Sequence, residues 1–293
     1  MTPFNVDVAG SFVLDTRLYQ SDSGRPRRQV TLGGSGWLMA RALRAAGARV
    51  RLLAPVGQDV VGRFLFEFGA RNGIVVVDTA VTGSAAGHFR TTIGSDLDVE
   101  IEDVSVVPEW DLNRLSRSLR TTADIRLLGH MPLAVLEAAL AIPANYVVFN
   151  PSSSAIEEPT MWRTIRTAAT RLRSVTSLNA AELEFLKTSV TDLLTSSTPD
   201  QIVVVTRGPD GASAFDGGDE IRCASQVTVA INPLGAGDAL IAAMSVGLLA
   251  GNTTHEALRS GSDAAALVCS SHLSHDPEAW RDLHGEQWEV EEQ

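Results

Sequence analysis

Residues 232–251, NPLGAGDALIAAMSVGLLAG, run a glycine-alanine-glycine turn into an acidic residue and then into a long apolar stretch. Gly235 and Gly237 lack a Cβ, so the backbone can turn sharply there and present N–H groups to a ligand without steric cost. Where such a turn opens a helix, the unpaired amides of Gly235, Ala236 and Gly237 and the positive dipole end favour a phosphate or a developing negative charge. Asp238 then needs a reason to stand beside them. A carboxylate at an anion site repels phosphate, unless it takes a proton from an attacking hydroxyl while the amides hold the transferring group. That pairing is the chemistry of phosphoryl transfer. Taken alone, the string is equally an ordinary helix start whose first-turn acid is favoured by the dipole.

The elements that would position this string are legible from periodicity. Six short β-rich runs alternate with helical segments: VRLLA (50–54), IVVVD (74–78), IRLLG (125–129), YVVFN (146–150), SVTSL (174–178) and IVVVT (202–206). Their near-continuous apolar character implies strands covered on both faces. The expected class is therefore α/β, with three layers and a mostly parallel central sheet whose ligands bind beyond the carboxyl ends of the strands. Residues 11–32 and 86–107 break the alternation and read as a small β-sheet lid. With no repeat or long linker, residues 1–293 are expected to form one domain carrying that lid. On the lid, His88 and Arg90 are candidate substrate contacts, Arg90 suited to a carboxylate or a base edge. Both read equally as solvated strand residues.

Composition excludes several classes. A net charge of -11 argues against duplex nucleic acid or an anionic membrane as partner. No signal peptide or spanning helix is visible, and Cys223 and Cys269 are expected to be free thiols in a reducing cytoplasm. The alternating segment 97–107 makes a homodimer through the lid an expectation. The acidic tail 284–293, with Trp288, reads as solvated or frayed.

Further strings line up with the first: AGSFVLD (9–15), TLGGSGWLMARALRAAGARVRLLAPVGQDVVGRFL (31–65), SLNAAELEFL (177–186) and VVVTRGPDGASAF (203–215). Together, and over essentially the whole chain, they resemble the PfkB family of carbohydrate and nucleoside kinases, the ribokinase-like family. The segments around DVEIEDVSVVPEW and VVFNPSSSAIEEPTMW are loosely similar to its pseudouridine kinase branch. The resemblance implies a ribokinase-like fold, ATP and magnesium as cofactors, and a small sugar or ribosyl nucleoside as substrate. It implies Asp15 on substrate hydroxyls, since a carboxylate can accept two hydrogen bonds from a vicinal diol. Gly33 and Gly34 would let the backbone approach the sugar. Asn179 and Thr206 would face the nucleotide, Glu182 would organise magnesium through water, and Gly208 and Gly211 would keep the turn open for ATP. Asp238 would be the base, with Gly235, Ala236 and Gly237 as anion hole.

Each of these has a plain alternative. Asp15 suits a strand-end turn, Asn179 with Glu182 is a helix-capping pattern, and 203–215 suits a simple β-turn. Departures from the family pattern are equally readable. Asn232 and Pro233 replace an Asp-Thr pair, which removes a charge, a hydroxyl and an N–H and bears on any monovalent cation site. Leu38 occupies a position on the substrate face where the family commonly has Asn, so it cannot bond a sugar hydroxyl. Trp37 beside it suits stacking on a base or sugar, or packing. These losses favour an alternative class, a catalytically impaired sugar- or nucleotide-binding protein on the same fold.

Overall fold

A nine-stranded sheet runs through the molecule in the order β13-β12-β11-β10-β9-β8-β1-β4-β5. The computed structural model describes residues 3–19, 27–94, 99–151, 156–169, 171–186, 190–193, 201–226, 230 and 232–270. The sheet strands are β1 (Asn5–Ala9), β4 (Arg49–Ala54), β5 (Val75–Asp78), β8 (Ile125–Leu128), β9 (Tyr146–Phe149), β10 (Ser174–Asn179), β11 (Gln201–Thr206), β12 (Ala212–Asp216) and β13 (Asp219–Cys223). Pairing is parallel from β5 through β11, and the β12–β13 hairpin is added antiparallel at one edge. All six apolar runs of the sequence are strands. An interior strand, β1, escapes that reading because Asp7 interrupts its apolar character.

Both faces of the sheet are covered, which is what continuous apolar strands require. Along each strand the alternation sends neighbours to opposite layers. Leu52, Leu127 and Val148 pack with α1 (Ser35–Ala45) and α8 (Ala236–Leu249), whereas Leu53, Leu128 and Phe149 pack with α3 (Leu112–Ser118), α4 (Leu133–Leu140) and α5 (Pro159–Ala169). The remaining helices are α2 (Val60–Arg71), the short α6 (Ala180–Phe185) and α7 (Val190–Leu193), and α9 (Thr254–Cys269). Small residues set the approach of α8 to α9: a Cβ on Gly261 would sit 2.6 Å from the Leu240 carbonyl oxygen.

Four strands form a second sheet in the order β3-β2-β6-β7. They are β2 (Val13–Tyr19), β3 (Arg27–Gly33), β6 (His88–Ile93) and β7 (Val99–Ser105), which lie in segments 11–32 and 86–107 except that β3 runs one residue further, to Gly33. The chain leaves β1 through Gly10 and enters this sheet directly, then returns through Gly33 and Gly34 into α1. Gly10 and Gly36 meet backbone to backbone, a Cβ on either lying within 2.8 Å of the other. That contact binds the second sheet's root to the first turn of α1. No helix among the described residues is long and apolar enough to cross a membrane. The tail 284–293 lies outside the described residues.

Candidate active site

The start of α8 has the local form its sequence suggests. Gly235 is the N-cap with φ of 85°, a left-handed conformation that glycine adopts without strain. No side chain caps the helix, and no described residue accepts from the amides of Gly237 or Asp238. By contrast, the first turn of α1 is already occupied by Ser11, whose Oγ accepts from the Ser35 amide at 3.2 Å and whose carbonyl accepts from Trp37 at 3.1 Å. A Cβ on Gly237 would meet nothing within 4 Å. The open space above these amides is of the kind a phosphate group requires.

Asp238 sits on the first turn of α8, partly open to a cavity and otherwise enclosed by protein. Burial pushes its pKa up to about 7, opposed by a hydrogen bond that Asn150 Nδ2 donates to its Oδ1 at 2.8 Å. Asn150 follows β9, so the carboxylate stands over the carboxyl end of the sheet. Along that edge Asn150, Asn179 and Thr206 terminate three neighbouring strands, Asn179 and Thr206 being in register. A carboxyl group with a pKa near neutrality can accept and release a proton at ordinary pH.

A cavity of about 830 Å³ opens on one side of Asp238, between the second sheet and the loops after β1 and β8. Asp15, Arg17, Gly33, Phe89, Thr91 and Ile101 line it from the second sheet; Ser11, Gly34, Ser35, Leu38, His130, Met131 and Leu234 line it from the body. A further wall is made by Val106 to Trp110, Leu112, Pro132, Ala134 and Val135. Asp15 is 2% exposed, and each of its oxygens is already bonded. Oδ2 accepts from Arg17 Nε and Oδ1 accepts from Thr91 Oγ1, both at 2.8 Å. Gly33 lies against it, a Cβ there falling 2.8 Å from the Asp15 Cβ. Leu38 is buried in the cavity wall, an apolar surface facing the acceptor space.

His88 and Arg90 do not line this cavity. Strand alternation puts them on the opposite face of β6: His88 Nε2 pairs with Thr16 Oγ1 at 2.9 Å, and Arg90 forms a 2.9 Å ion pair with Glu102 on the exposed side. Phe89 and Thr91, between and beyond them, face the cavity instead. Trp37 is also elsewhere, fully buried and stacked on Phe12 with ring centroids 4.5 Å apart.

Asn179, Glu182, Thr206, Gly208 and Gly211 lie outside the cavity, further along the sheet edge. Asn179 and Glu182 form a reciprocal capping box on α6: Asn179 Oδ1 accepts from the Glu182 amide at 2.9 Å, and Glu182 Oε2 accepts from the Asn179 amide at 2.8 Å. Gly211 has a structural reason of its own, since a Cβ there would lie 2.2 Å from the Cys223 carbonyl oxygen. Gly208 has open space around it. Asn232 is fully buried; its Oδ1 accepts from the Leu234 amide at 3.0 Å, which shapes the turn into Gly235, and its Nδ2 has no acceptor among the described residues.

Sequence reasoning missed Asn150, Arg17, Phe89 and Thr91. The signals were present but weak: Asn150 ends a predicted parallel strand, where ligand contacts concentrate, and Arg17 follows Asp15 at the spacing that shares a strand face. Which face of β6 meets the cavity depends on pairing register, which the sequence leaves open.

The fold and this site define a class, the ribokinase-like α/β proteins. The chain matches a ribokinase from Thermotoga maritima with a TM-score of 0.70 over 96% of this chain and 99% of that one, at 18% identity. It matches a nucleoside kinase from Burkholderia thailandensis, solved in complex with inosine, with a TM-score of 0.72 over 96% and 98%, at 15% identity. Residues 5–281 match the pfkB family carbohydrate kinase profile, and the chain belongs to that family. Part of it is similar to a 5-dehydro-2-deoxygluconokinase from Listeria innocua, 35% identical over 77 residues, 26% of this chain and 24% of that protein. The chain thus spans about a quarter of the length of the curated relatives it matches.

Proposed function

We propose that this protein is an ATP-dependent kinase that transfers the γ-phosphate to a hydroxyl of a small sugar or ribosyl nucleoside. The observation that carries the reading is Asp238, a carboxyl group with a pKa near 7, placed between an acceptor cavity and a helix start whose Gly237 and Asp238 amides have no acceptor among the described residues, the Ala236 amide donating to the Pro233 carbonyl at 3.3 Å. Asp238 takes the proton from the acceptor hydroxyl as that oxygen attacks. The amides of Gly235, Ala236 and Gly237 receive the negative charge that develops on the transferring group. ATP lies toward Asn179, Thr206, Gly208 and Gly211, on the other side of Asp238 from the cavity. Asp15, Gly33 and Gly34 hold the acceptor.

The donor set fits magnesium carried by the nucleotide. No group of three or more His, Cys, Asp or Glu side chains converges among the described residues, and magnesium commonly keeps its waters with one or two carboxylates and phosphates. Glu182 would hold it through water, and the ion would supply charge neutralisation. A monovalent cation near Asn232 would have to bind without a carboxylate at that position.

The second sheet acts as a lid that excludes water from the acceptor, and the exposed Val99 and Ile101 on one face of β7 support pairing of two copies through it. A reducing cytoplasm suits the two free cysteines. A catalytically impaired binding protein is the second reading, favoured by Asn232, Pro233 and Leu38. ADP formation measured against a panel of sugars and nucleosides separates the two. Turnover with one acceptor, abolished by Asp238→Asn, is expected; no turnover with any, or turnover unchanged in the variant, sinks the kinase reading.

A further inference from the structure

Arg17 is a buried guanidinium whose hydrogen bonding is incomplete. Its side chain is 1% exposed, its Nε donates to Asp15 Oδ2 at 2.8 Å, and its Nη2 has no acceptor among the described residues. It nevertheless belongs to the cavity wall, on the same face of β2 as Asp15 and further along the strand. A buried donor without an acceptor is costly, and a ligand oxygen would remove that cost.

Charge indicates which oxygen. Asp15, Glu109 and Asp238 all line the cavity, and together these carboxyl groups outnumber Arg17. A carboxylate on the ligand would be buried against like charge, whereas a carbonyl oxygen offers the same acceptor lone pairs without charge. The surface beyond Arg17 then limits what carries that oxygen. Phe89, Ile101, Val106, Leu112 and Met131 present an apolar wall, and Ile101, Val106 and Leu112 are 55%, 83% and 39% exposed. These five side chains offer a ligand hydroxyl no partner.

Resting on the kinase reading of this site, we infer that the acceptor has two unlike ends, a hydroxylated end that reaches Asp238 and an unhydroxylated end bearing a neutral carbonyl oxygen bound by Arg17. Arg17 is thereby a specificity-determining residue. The carbonyl has two possible sources, the oxo-substituted ring of a nucleoside or the keto group of a deoxy sugar.

Calorimetric binding to the whole chain without ATP tests this in two arms. One compares inosine with adenosine, which carries an amino group in place of the ring oxygen; the other compares 1-deoxyxylulose with the alcohol made by reducing it. In one arm the carbonyl ligand should bind about tenfold to a hundredfold more tightly. Arg17→Lys keeps a positive charge beside Asp15 but loses the planar fork, and should erase the ratio of the two affinities whatever it does to binding of the pair as a whole. No difference in either arm overturns the inference. So does a difference that survives in Arg17→Lys, the result expected if Arg17 merely turns to the Oε1 of Gln29, its neighbour on β3, which has no donor among the described residues. Should that variant not fold, a crystal structure of the wild-type complex decides: a carbonyl oxygen within hydrogen-bond distance of Arg17 supports the assignment, and any other placement overturns it. Carbonyl-dependent binding through Arg17, with no sugar or nucleoside of the panel phosphorylated by ATP, would leave the Arg17 contact standing and sink the kinase reading.

Discussion

Two aspartates, one inside the large sheet and one at the start of α8 over its carboxyl edge, have surroundings that differ in kind. Asp7 lies at the middle of β1, fully buried, in register with Arg51 on β4 and Arg126 on β8. Its Oδ2 accepts from the Arg120 amide at 2.9 Å, and Arg51 lies 3.7 Å from its Oδ1. The two arginines are themselves anchored on backbone carbonyls where helices end, Arg51 on Ser118 and Arg126 on Ala139, Ile142 and Arg120. Burial lowers the pKa of both, and Asp7 opposes that fall. Asp238 accepts from the neutral amide of Asn150, and no cation pairs with it among the described residues. A compensated charge of the first kind ties strands to helix ends; an uncompensated one of the second kind is poised to exchange a proton.

Substitution at the two positions should separate these roles most widely. Asp238→Asn removes the base while keeping shape, and turnover should fall about a thousandfold, read as ADP formation at saturating substrate. Its stability should not fall with it. With a folded pKa of about 7 against an ordinary 3.8, Asp238 binds its proton more tightly in the folded state. Its contribution to stability is full below the ordinary value and is lost as pH rises through about 7. Activity should rise over that same interval as the base ionises. Chemical denaturation from pH 5 to 8 should therefore show wild type losing stability relative to Asp238→Asn as pH rises; parallel curves would contradict the shift.

Asp7→Asn should show the converse. Loss of the charge leaves Arg51 and Arg126 buried without their counter-ion, and stability should drop by about 3–5 kcal/mol in denaturant melts. Turnover per folded molecule should stay within about twofold. A variant that is stable but slow would mean that Asp7 serves the site and not the frame.

These two aspartates also explain what the sequence made legible. The six apolar runs announce their strands because nothing polar interrupts them. β1 does not, since Asp7 stands in its centre and the in-register arginines that justify it lie about 45 and 120 residues further along the chain. The helix start at Gly235 was readable because its requirements are local: a left-handed glycine, a free first turn and an acid. The cavity was not, because Arg17, Thr91 and Asn150 acquire meaning only from strands paired across long stretches of sequence. Where a pattern admitted both a capping and a binding reading, as at Asn179 and Glu182, the geometry contains the cap.

The helix start can be probed without disturbing the frame. Gly237→Ala adds a methyl group where nothing lies within 4 Å, on a helical residue, so melting temperature should hold or rise slightly. If the space belongs to the transferring phosphate, turnover should still fall about tenfold or more through loss of positioning. Full activity in this variant would remove the anion-hole role of the amide at 237.

The smallest expected effect falls on the partner of Asp238. The Asn150 amide donates to the carboxylate and so holds its pKa below what burial alone would set. Asn150→Ala removes the donor, and the pKa should climb by about one unit, since a hydrogen bond to a charged group contributes on the order of 1.4 kcal/mol or more. The rising limb of kcat against pH should move up by the same interval, while kcat on the alkaline plateau changes little once the base is ionised. Asn150→Asp shifts the limb further in the same direction, because two carboxyl groups in contact resist sharing a second charge. An unmoved limb in both variants would assign the limb to another group and return Asp238 to the role of a helix-start residue.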